Sequence, residues 1–316
     1  MNLPVNLNKI DTPLLPVIVI VGPTAVGKTS LSLKLAQKYN AEIVSADSRQ
    51  IYTSMDIGTA KPTVKEMAGI THHFIDFTNP GTEFSAGEFG IKAREKILEI
   101  RKDNKNVIVV GGSGLYIRAL LYGMIKFDQK DDSVREELTK RLKSEGLAKL
   151  YSELEKVDPE LANRFSVNDT QRILRGLEVF LISGKKLSDL QKENEIPAPF
   201  DFIQIGILMD REELYQRINK RVDEMIKSGL EDEVKKLLTK GYDKTNALNA
   251  VGYKEVVSYI NNEISFDEMV ELIKRNTRRF AKRQMTWFNK DKNIIWLKAP
   301  VEQQKLEDTL NLTNRP

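Results

Sequence analysis

The sequence predicts an α/β protein whose parallel sheet is flanked by helices and interrupted by a helical insertion. Over the first 120 or so residues, short runs of β-branched and apolar residues alternate with helical patterns, an order typical of parallel strands joined by helices. From about Tyr122 to Glu195 the sequence is instead charged and helix-forming, with no convincing strand. A chain of 316 residues is long enough for one large domain or two.

The predicted elements follow this pattern along the chain. Apolar, β-rich runs predict strands at 17–21, 41–46, 71–77, 107–110, 202–208 and 293–297. Amphipathic spacing predicts helices near 29–39 and 86–101, and further helices from about Glu212 to Phe288. The tail after Pro300 is polar, and we expect it to fray.

Turn and cap signals divide the insertion. Asp158-Pro159 is typical of an N-cap followed by proline at the first helical position, and Glu145-Gly146 and Ser183-Gly184 are typical helix ends. Ile196-Pro197-Ala198-Pro199 predicts a rigid connector. We therefore expect a catalytic core made of residues 1–121 and 199–316, and an insertion over residues 122–198.

A glycine-rich loop follows the first predicted strand. Its spacing is G-x-x-x-x-G-K-T, and a helix follows it, so the expected fold is P-loop NTPase-like and the expected ligand a polyphosphate. Loop amides and the helix N-terminus favour an anion, Lys28 adds a positive charge, and the Thr29 hydroxyl can ligate Mg²⁺. The predicted phosphate-binding residues are Gly22, Pro23, Thr24, Ala25, Val26, Gly27, Lys28 and Thr29.

Composition narrows the chemistry. The absence of cysteine excludes disulfides, thiolate catalysis and cysteine-ligated zinc, and the only two histidines are adjacent, so Mg²⁺ on oxygen ligands is the expected metal. The apolar stretch 14–21 is far shorter than the roughly 20 residues of a membrane span, so we expect no anchor, no signal peptide and a cytoplasmic protein. A net charge of +4 does not by itself indicate a nucleic-acid partner.

Two further segments are expected at the carboxyl edge of the sheet. Asp47 follows the second predicted strand, at the edge where open α/β sheets bind ligands. A helix cap or a loop residue is an equally good interpretation of this aspartate when it is considered alone. A second glycine loop, Gly111-Gly112-Ser113-Gly114, follows the strand at 107–110. Taken alone it would indicate only a tight turn; beside the first loop it predicts a crevice.

Basic residues are concentrated near the end of the predicted helical region. Residues 274–283 contain six basic side chains and no acidic one. On a helix, Arg275, Arg278, Arg279 and Lys282 share one face, which suits a phosphate backbone better than a solvated surface of mixed charge. We expect the aromatic residues Phe280, Trp287 and Phe288 to lie in the core.

In their order along the chain, these motifs resemble those of the bacterial tRNA dimethylallyltransferases. The resemblance covers roughly residues 15 to 297 and rests on residues 22–29, 47–52, 55–62, 111–116, 171–175, 251–254 and 282–287. It implies transfer of the dimethylallyl group of dimethylallyl pyrophosphate to N6 of adenine 37 of tRNAs that read codons beginning with U. It also implies that Mg²⁺ assists and that the adenine is flipped out of its stack.

The resemblance also implies roles for particular residues. Asp47 would contact the adenine N6 as hydrogen-bond acceptor or general base, Thr24 would lie beside the donor, and Arg221 would help to bind the pyrophosphate. The insertion would grip the anticodon stem-loop, and we expect a monomer. The implied tRNA contacts are Asp47, Ser48, Arg49, Gln50, Ser113, Arg135, Gln171, Arg172, Ile173, Leu174, Arg175, Asn249, Ala250, Val251, Gly252, Tyr253 and Lys254.

One position departs from the pattern, since Ser113 stands where the family usually has threonine; the hydroxyl is kept. The alternatives are an adenylate dimethylallyltransferase acting on free AMP or ADP, a P-loop nucleotide kinase, and an RNA-binding P-loop NTPase. The basic face and the insertion argue against the first two. A Walker-B-type strand ending in aspartate would favour the third, but the strand at 107–110 ends in glycines.

Overall fold

The computed structural model describes residues 14–125, 127, 131–193 and 195–312. The chain forms two compact units. The first contains the chain through Phe84, Lys92–Ile117 and the chain from Pro199 onward; the second contains Ser85–Ile91 and Arg118–Ala198. The second unit therefore includes residues 85–91 and 118–121, which the sequence analysis placed in the core. A physical reason is close packing inside this unit, where a Cβ on Gly90 would lie 2.7 Å from the Ala119 carbonyl oxygen.

A parallel sheet forms the centre of the first unit. Its strands are β1 (Val17–Val21), β2 (Ala41–Ser45), β3 (His72–His73), β4 (Asn106–Gly111), β5 (Phe202–Leu208) and β6 (Ile294–Lys298). Their order across the sheet is β3-β2-β4-β1-β5-β6, and every pair is parallel. Every residue of β1 is buried, as expected for a central strand covered on both faces.

Three strands end level with one another at one edge of this sheet. Val21 pairs with Gly111, and Ser45 pairs with Val110. The segments that follow β1, β2 and β4 therefore begin side by side at the carboxyl edge. Because ligands of open α/β sheets bind at this edge, the register alone places the two glycine loops and Asp47 together.

Helices surround the sheet and build the second unit. They are α1 (Lys28–Tyr39), α2 (Val64–Met67), α3 (Ala86–Lys102), α4 (Gly114–Tyr122), α5 (Asp132–Glu145), α6 (Leu147–Val157), α7 (Pro159–Ala162), α8 (Thr170–Ser183), α9 (Leu187–Glu193), α10 (Arg211–Lys227), α11 (Leu230–Thr239), α12 (Tyr253–Ile260), α13 (Phe266–Phe288) and α14 (Gln303–Leu312). None of the helices in the described ranges is long and apolar enough to cross a membrane.

The predicted cap signals are confirmed in the second unit. The Asp158 side chain accepts a hydrogen bond from the Leu161 N–H, with Pro159 at the first position of α7. Helix α8 ends at Ser183, and Gly184 adopts the left-handed conformation that closes it. Leucines of α5, α6, α7, α8 and α9 form a core of this unit, which contains no strand among its described residues.

The strand predicted at 71–77 is shorter in the structure, where β3 has two residues. Phe74 and Asp76 adopt φ values of 63° and 50°, which extended backbone does not allow. The amides of residues 76–78 instead donate to the carbonyls of Gln50 and Ile51. This segment therefore braces the chain that follows Asp47.

The prediction of a frayed tail after Pro300 is wrong, because α14 covers 303–312. Leu306 and Leu310 lie four residues apart on one face of this helix and are buried in the core of the first unit. Two leucines in a polar stretch gave too weak an amphipathic signal for sequence analysis.

Candidate active site

The phosphate loop takes its shape from its two glycines. Gly22 has φ 144°, and a Cβ there would lie 2.9 Å from the Ile207 carbonyl oxygen. Gly27 has φ 103° and is the N-cap of α1. Residues that have a side chain rarely adopt such φ values, so glycine at these two positions lets the loop turn directly into the helix. The N-terminus of α1 is thereby brought to the carboxyl edge of the sheet.

Lys28 folds back over this loop. Its Nζ donates to the carbonyl oxygens of Gly22 and Pro23 at 2.9 and 2.7 Å. Desolvation lowers the pKa of Lys28 to about 7; the charge of Arg221 acts in the same direction, and the charge of Asp47 opposes it. The three side chains therefore interact electrostatically at one site. A polyphosphate would restore the full charge of Lys28, because an anion favours its protonated form.

The Asp47 carboxylate is fixed by one oxygen. Its Oδ1 accepts hydrogen bonds from the backbone N–H groups of Arg49 and Gln50, at 2.9 and 3.3 Å. Its Oδ2 has no hydrogen-bond partner within the part of the chain that the structure describes. The loop-residue interpretation therefore accounts for one oxygen, and the other stays available to accept a proton or a hydrogen bond.

Ser113 connects the second glycine loop to the Asp47 segment. Its Oγ accepts a hydrogen bond from the Ser48 N–H at 2.9 Å. Gly111 makes this approach possible, because a Cβ at this position would lie 2.0 Å from the Ala46 carbonyl oxygen. The segments that follow β2 and β4 are thus in direct contact. The hydrogen bond needs only a hydroxyl, so serine makes it without the methyl group that a threonine would add.

Arg221 reaches the phosphate loop from α10. Its Nη1 lies 3.4 Å from the Thr24 hydroxyl oxygen. Desolvation lowers the pKa of this arginine, while the charge of Glu224 opposes the shift. Arg217, one turn earlier, pairs with Glu213 at 2.8 Å. Of these two arginines, Arg221 is therefore the one directed at the phosphate loop.

A buried carboxylate holds the segment 55–62 in place. Glu233 of α11 accepts hydrogen bonds from the N–H groups of Asp56, Ile57 and Gly58, at 2.9, 2.7 and 3.1 Å. It also accepts one from the Tyr253 hydroxyl at 2.6 Å. Tyr253 is fully buried, and desolvation, followed by the charge of Glu233, raises its pKa far above the ordinary value.

The Gln50 amide connects this segment to the Asp47 turn. Its Nε2 lies 3.2 Å from the carbonyl oxygens of both Thr59 and Ala60. The backbone N–H of Gln50 donates to Asp47 Oδ1. Segment 55–62, which sequence analysis could interpret only as a loop, is therefore part of the framework behind Asp47.

Thr29 is exposed at the start of α1, where its hydroxyl is available to a ligand. Among the described residues, no cluster of three histidine, cysteine, aspartate or glutamate side chains is placed to hold a metal. The adjacent His72 and His73 are hydrogen-bonded to the Ile70 carbonyl and to Glu42. The donor set therefore fits an Mg²⁺ ion that retains water and binds mainly to substrate phosphates.

The basic face lies on α13. Arg275, Arg279 and Lys282 are exposed and make no ion pair with any residue that the structure describes. Arg278 is engaged, because its Nη1 donates to Asn219 at 2.6 Å and its guanidinium lies over the Tyr215 ring. Three of the four predicted cations are thus free for a phosphate backbone.

The prediction that Phe280 lies in the core is wrong, whereas the same prediction for Phe288 is confirmed. Phe280 is 38% exposed and Phe288 is 2% exposed. The Arg283 guanidinium lies over the Phe280 ring at 5.8 Å. Phe280 therefore belongs to the outer surface of α13 with the cations.

In the second unit, a buried carboxylate holds two of the predicted RNA contacts. Glu178 pairs with Arg135 at 2.5 Å and with Arg175 at 2.7 Å. Gln171 and Arg172 are exposed, but Ile173 is fully buried and Leu174 is half-buried. The Ile173 side chain packs in the core of the unit and presents nothing to RNA.

The predicted contact segment 249–254 also separates into two groups. Asn249 and Lys254 are exposed and Val251 is half-buried. The structure buries Ala250, Gly252 and Tyr253. Direct RNA contact by the Tyr253 side chain is excluded by its burial, and its place beside Glu233 explains why a tyrosine stands there. Arg49 donates from Nη1 to the nearby Asn246 carbonyl at 2.7 Å.

Sequence reasoning assigned no role to three buried polar residues: Gln284, Glu233 and Glu178. Gln284 is 6% exposed and bonds both glycine loops. A signal for it exists, because Gln284 falls on the apolar stripe of α13 between Ala281 and Phe288. The two glutamates carry no comparable signal, because Arg135, which pairs with Glu178, and the partners of Glu233 are distant in sequence.

Comparison with known proteins identifies the family. The family model described as IPP transferase matches residues 50–291. The chain belongs to the IPP transferase family. A tRNA dimethylallyltransferase of Clostridioides difficile (strain 630) is 49% identical over 285 residues, which are 89% of this chain and 91% of that protein. The predicted IPP transferase family membership and the prenyltransferase class are confirmed.

Solved structures of IPP transferases share the fold. A tRNA isopentenylpyrophosphate transferase from Bacillus halodurans has a TM-score of 0.70 and 37% identity, covering 94% of this chain and 97% of that one. A eukaryotic dimethylallyltransferase acting on tRNA has a TM-score of 0.79 and 29% identity, covering 95% and 80%. The predicted P-loop NTPase-like fold class is confirmed.

Proposed function

We propose that this chain transfers the dimethylallyl group of dimethylallyl pyrophosphate to N6 of adenine 37 in tRNAs that read codons beginning with U. The observation that carries the proposal is the grouping of Lys28, Arg221 and Asp47 at one sheet edge, with Asp47 Oδ2 free to accept a proton. The eukaryotic structural relative acts on tRNA, and the curated relatives are named for the same transfer.

The reaction requires positive charge beside the leaving pyrophosphate and a proton acceptor beside the adenine. Adenine N6 attacks C1 of the dimethylallyl group, the C1–O bond breaks, and the bonding pair leaves with pyrophosphate. Lys28, the loop amides and Arg221 stabilise the negative charge that grows on the leaving group. Asp47 accepts the N6 proton, so that the products are N6-dimethylallyladenosine, pyrophosphate and a proton.

Mg²⁺, held by the Thr29 hydroxyl, water and the donor phosphates, would neutralise part of the pyrophosphate charge. The chain's own residues do the remaining work. The Arg49 and Gln50 amides orient the carboxylate of Asp47, and Ser113 fixes the backbone beside it. The exposed cations of α13 supply contacts to the RNA backbone. The adenine leaves its stack to reach Asp47. The monomeric state stays a prediction.

One assay tests the reaction. The protein is incubated with Mg²⁺, labelled dimethylallyl pyrophosphate and unmodified tRNA, the same tRNA with guanine at position 37, or AMP. We expect label only in the tRNA that carries adenine 37. Label in AMP but not in tRNA would instead indicate an adenylate dimethylallyltransferase, and ATP hydrolysis without prenyl transfer would exclude a transferase.

Asp47→Asn tests the role of the carboxylate. Asparagine keeps an oxygen for the Arg49 amide but does not accept a proton, so we expect kcat to fall by about 10²- to 10⁴-fold while the Kd for tRNA changes less than about twofold. Equal losses in kcat and in tRNA affinity would show that Asp47 is only structural.

The RNA face is tested by its salt dependence. Neutralising Arg279 and Lys282 to glutamine should reduce the slope of log Kd for tRNA against log salt by about one per lost contact. Lys227→Gln combined with Lys236→Gln removes the same charge from exposed positions of α10 and α11 and serves as control. An unchanged slope in the first double variant would remove α13 from the RNA interface.

A further inference from the structure

One buried side chain bonds both glycine loops of the first unit. Gln284 Oε1 accepts a hydrogen bond from the Thr24 N–H at 2.9 Å, and its Nε2 donates to the Gly112 carbonyl at 2.8 Å. Because one partner is a donor and the other an acceptor, only one orientation of the amide satisfies both bonds. A buried amide with both ends used in this way is fixed in position.

The second loop is shaped to receive this side chain. A Cβ on Gly112 would lie 2.2 Å from Gln284 Nε2. One turn further along α13, Trp287 packs on Gly114, where a Cβ would lie 2.1 Å from the indole Cδ1. Helix α13 therefore contacts the second loop at Gly112 and Gly114, and the phosphate loop through Gln284.

The bond to Thr24 has a consequence for Lys28. The Thr24 N–H and the Pro23 carbonyl belong to the same peptide group, which is planar. Gln284 Oε1 holds one side of this peptide at 2.9 Å, and Lys28 Nζ donates to the other side at 2.7 Å. Turning the N–H toward Gln284 therefore turns the carbonyl toward Lys28.

The residues that flank this peptide need such support. Ala25 adopts φ 66°, a left-handed conformation that is strained for a residue other than glycine. The Thr24 hydroxyl in turn lies 3.4 Å from Arg221 Nη1. Fixing the Pro23–Thr24 peptide thus fixes the strained turn, Lys28 and the contact to Arg221 together.

We propose that Gln284 is a positioning residue for donor binding, which sets the Pro23–Thr24 peptide and through it Lys28, and joins the phosphate loop to the second glycine loop. The proposal rests on the proposed function, because the ligand of the loop is the pyrophosphate of the donor. Gln284 itself touches no reacting atom.

Gln284→Met is the principal test, because methionine has nearly the same length but makes neither hydrogen bond. The matched control is Gln204→Met. Gln204 lies on β5, contacts neither glycine loop through the hydrogen bond it donates, and is also buried, with 3% of its surface exposed. Its Nε2 donates to Asp291 at 2.9 Å. Binding of inorganic pyrophosphate with Mg²⁺ is measured by calorimetry, and thermal unfolding of both variants is measured beside it.

We expect Gln284→Met to raise the Kd for pyrophosphate at least about tenfold, equivalent to ~1.4 kcal/mol, and Gln204→Met to leave it within about twofold at a comparable loss of stability. In the transfer assay, Gln284→Met should raise the KM for the donor more than the KM for tRNA. Wild-type pyrophosphate affinity in Gln284→Met, or equal losses in the two variants, would overturn the proposal.

Gly112→Ala provides a second route should Gln284→Met fail to fold. The new Cβ displaces the end of a flexible side chain, so the glutamine stays in the chain but loses its position. We expect the same direction of change in pyrophosphate affinity, and unchanged affinity would contradict the proposal. Since pyrophosphate binding requires no transfer, a wild-type protein that binds pyrophosphate but transfers no prenyl group would refute the proposed function alone.

Discussion

The two glycine loops lie at the same sheet edge but use glycine for different physical reasons. In the phosphate loop, Gly22 and Gly27 have φ values of 144° and 103°, so the backbone conformation itself requires glycine. In the second loop, the φ values of Gly111, Gly112 and Gly114 lie outside the left-handed region. Here glycine is required by the neighbouring atoms, which leave no room for a Cβ.

This difference separates conformation from packing as the source of a site. The phosphate loop requires its glycines for its own backbone conformation, so it is recognisable from eight consecutive residues of the sequence. The second loop takes its shape from Ala46, Gln284 and Trp287, two of which are more than 170 residues away. Substituting a glycine of the phosphate loop should therefore mainly weaken ligand binding, whereas substituting a glycine of the second loop should mainly lower the free energy of unfolding.

Among substitutions in the two glycine loops, Lys28→Met in the phosphate loop has the largest expected effect. The charge of Lys28 contributes directly to stabilising the leaving group, so kcat/KM for the donor should fall by about 10²- to 10³-fold. The free energy of unfolding should not decrease, because methionine removes a desolvated charge. Steady-state kinetics and urea unfolding measure the two quantities, and a kinetic loss below about tenfold would contradict this role.

Substituting one glycine in each loop tests the comparison itself. Gly111→Ala places a Cβ 2.0 Å from a backbone oxygen, and we expect the free energy of unfolding to fall by about 1–3 kcal/mol or more. Gly27→Ala meets no atom within 4 Å, so its main result should be weaker pyrophosphate binding with a loss of stability near ~1 kcal/mol. Urea unfolding and calorimetry distinguish the two outcomes. Equal stability losses would show that the loops do not differ in this way.

A smaller effect is expected at Ser113. Ser113→Ala leaves the Ser48 N–H without its side-chain acceptor, at a cost of about 1–2 kcal/mol, and kcat/KM for tRNA should fall about threefold to tenfold. Ser113→Thr keeps the hydroxyl and is the control; it should match the wild type. A threonine variant as impaired as the alanine variant would show that space, and not the hydrogen bond, decides this position.

The smallest expected effect is a linked proton. With a pKa of about 7, Lys28 is only partly charged at neutral pH, and an anion favours the charged form. Binding of pyrophosphate should therefore take up about half a proton at pH 7 relative to Lys28→Met, and this part of the affinity should decline as the pH rises above 7. Calorimetry in two buffers of different ionisation enthalpy measures the uptake. Equal uptake by wild type and variant would assign the proton to another group.

Much of the architecture could be predicted because its signals are local. Strand β5 has the predicted bounds, and the caps at Asp158 and Gly184 follow from neighbouring residues. Positive φ values at Phe74 and Asp76 shortened β3, and nothing in those two residue types indicates such a conformation.

Within the site, the phosphate loop, Asp47 and Arg221 were identifiable by motif or by resemblance. The carboxylates behind them were not, because their partners are set by the fold. Glu178 lies among apolar residues of α8, and it pairs with Arg135, which lies 43 residues earlier in the chain. A buried polar residue reveals its role only when the tertiary structure supplies the other half of the hydrogen bond.

The turn at residues 56–58 is an anion-binding site that the protein fills itself. Three successive amides that converge on one point are a geometry by which proteins capture free phosphate, and here Glu233 occupies that point. No inorganic anion or RNA phosphate competes for those amides while the carboxylate stays. The anion-binding loop at residues 22–29 is therefore available to a ligand, whereas the amides of residues 56–58 are already occupied by a carboxylate of the same chain.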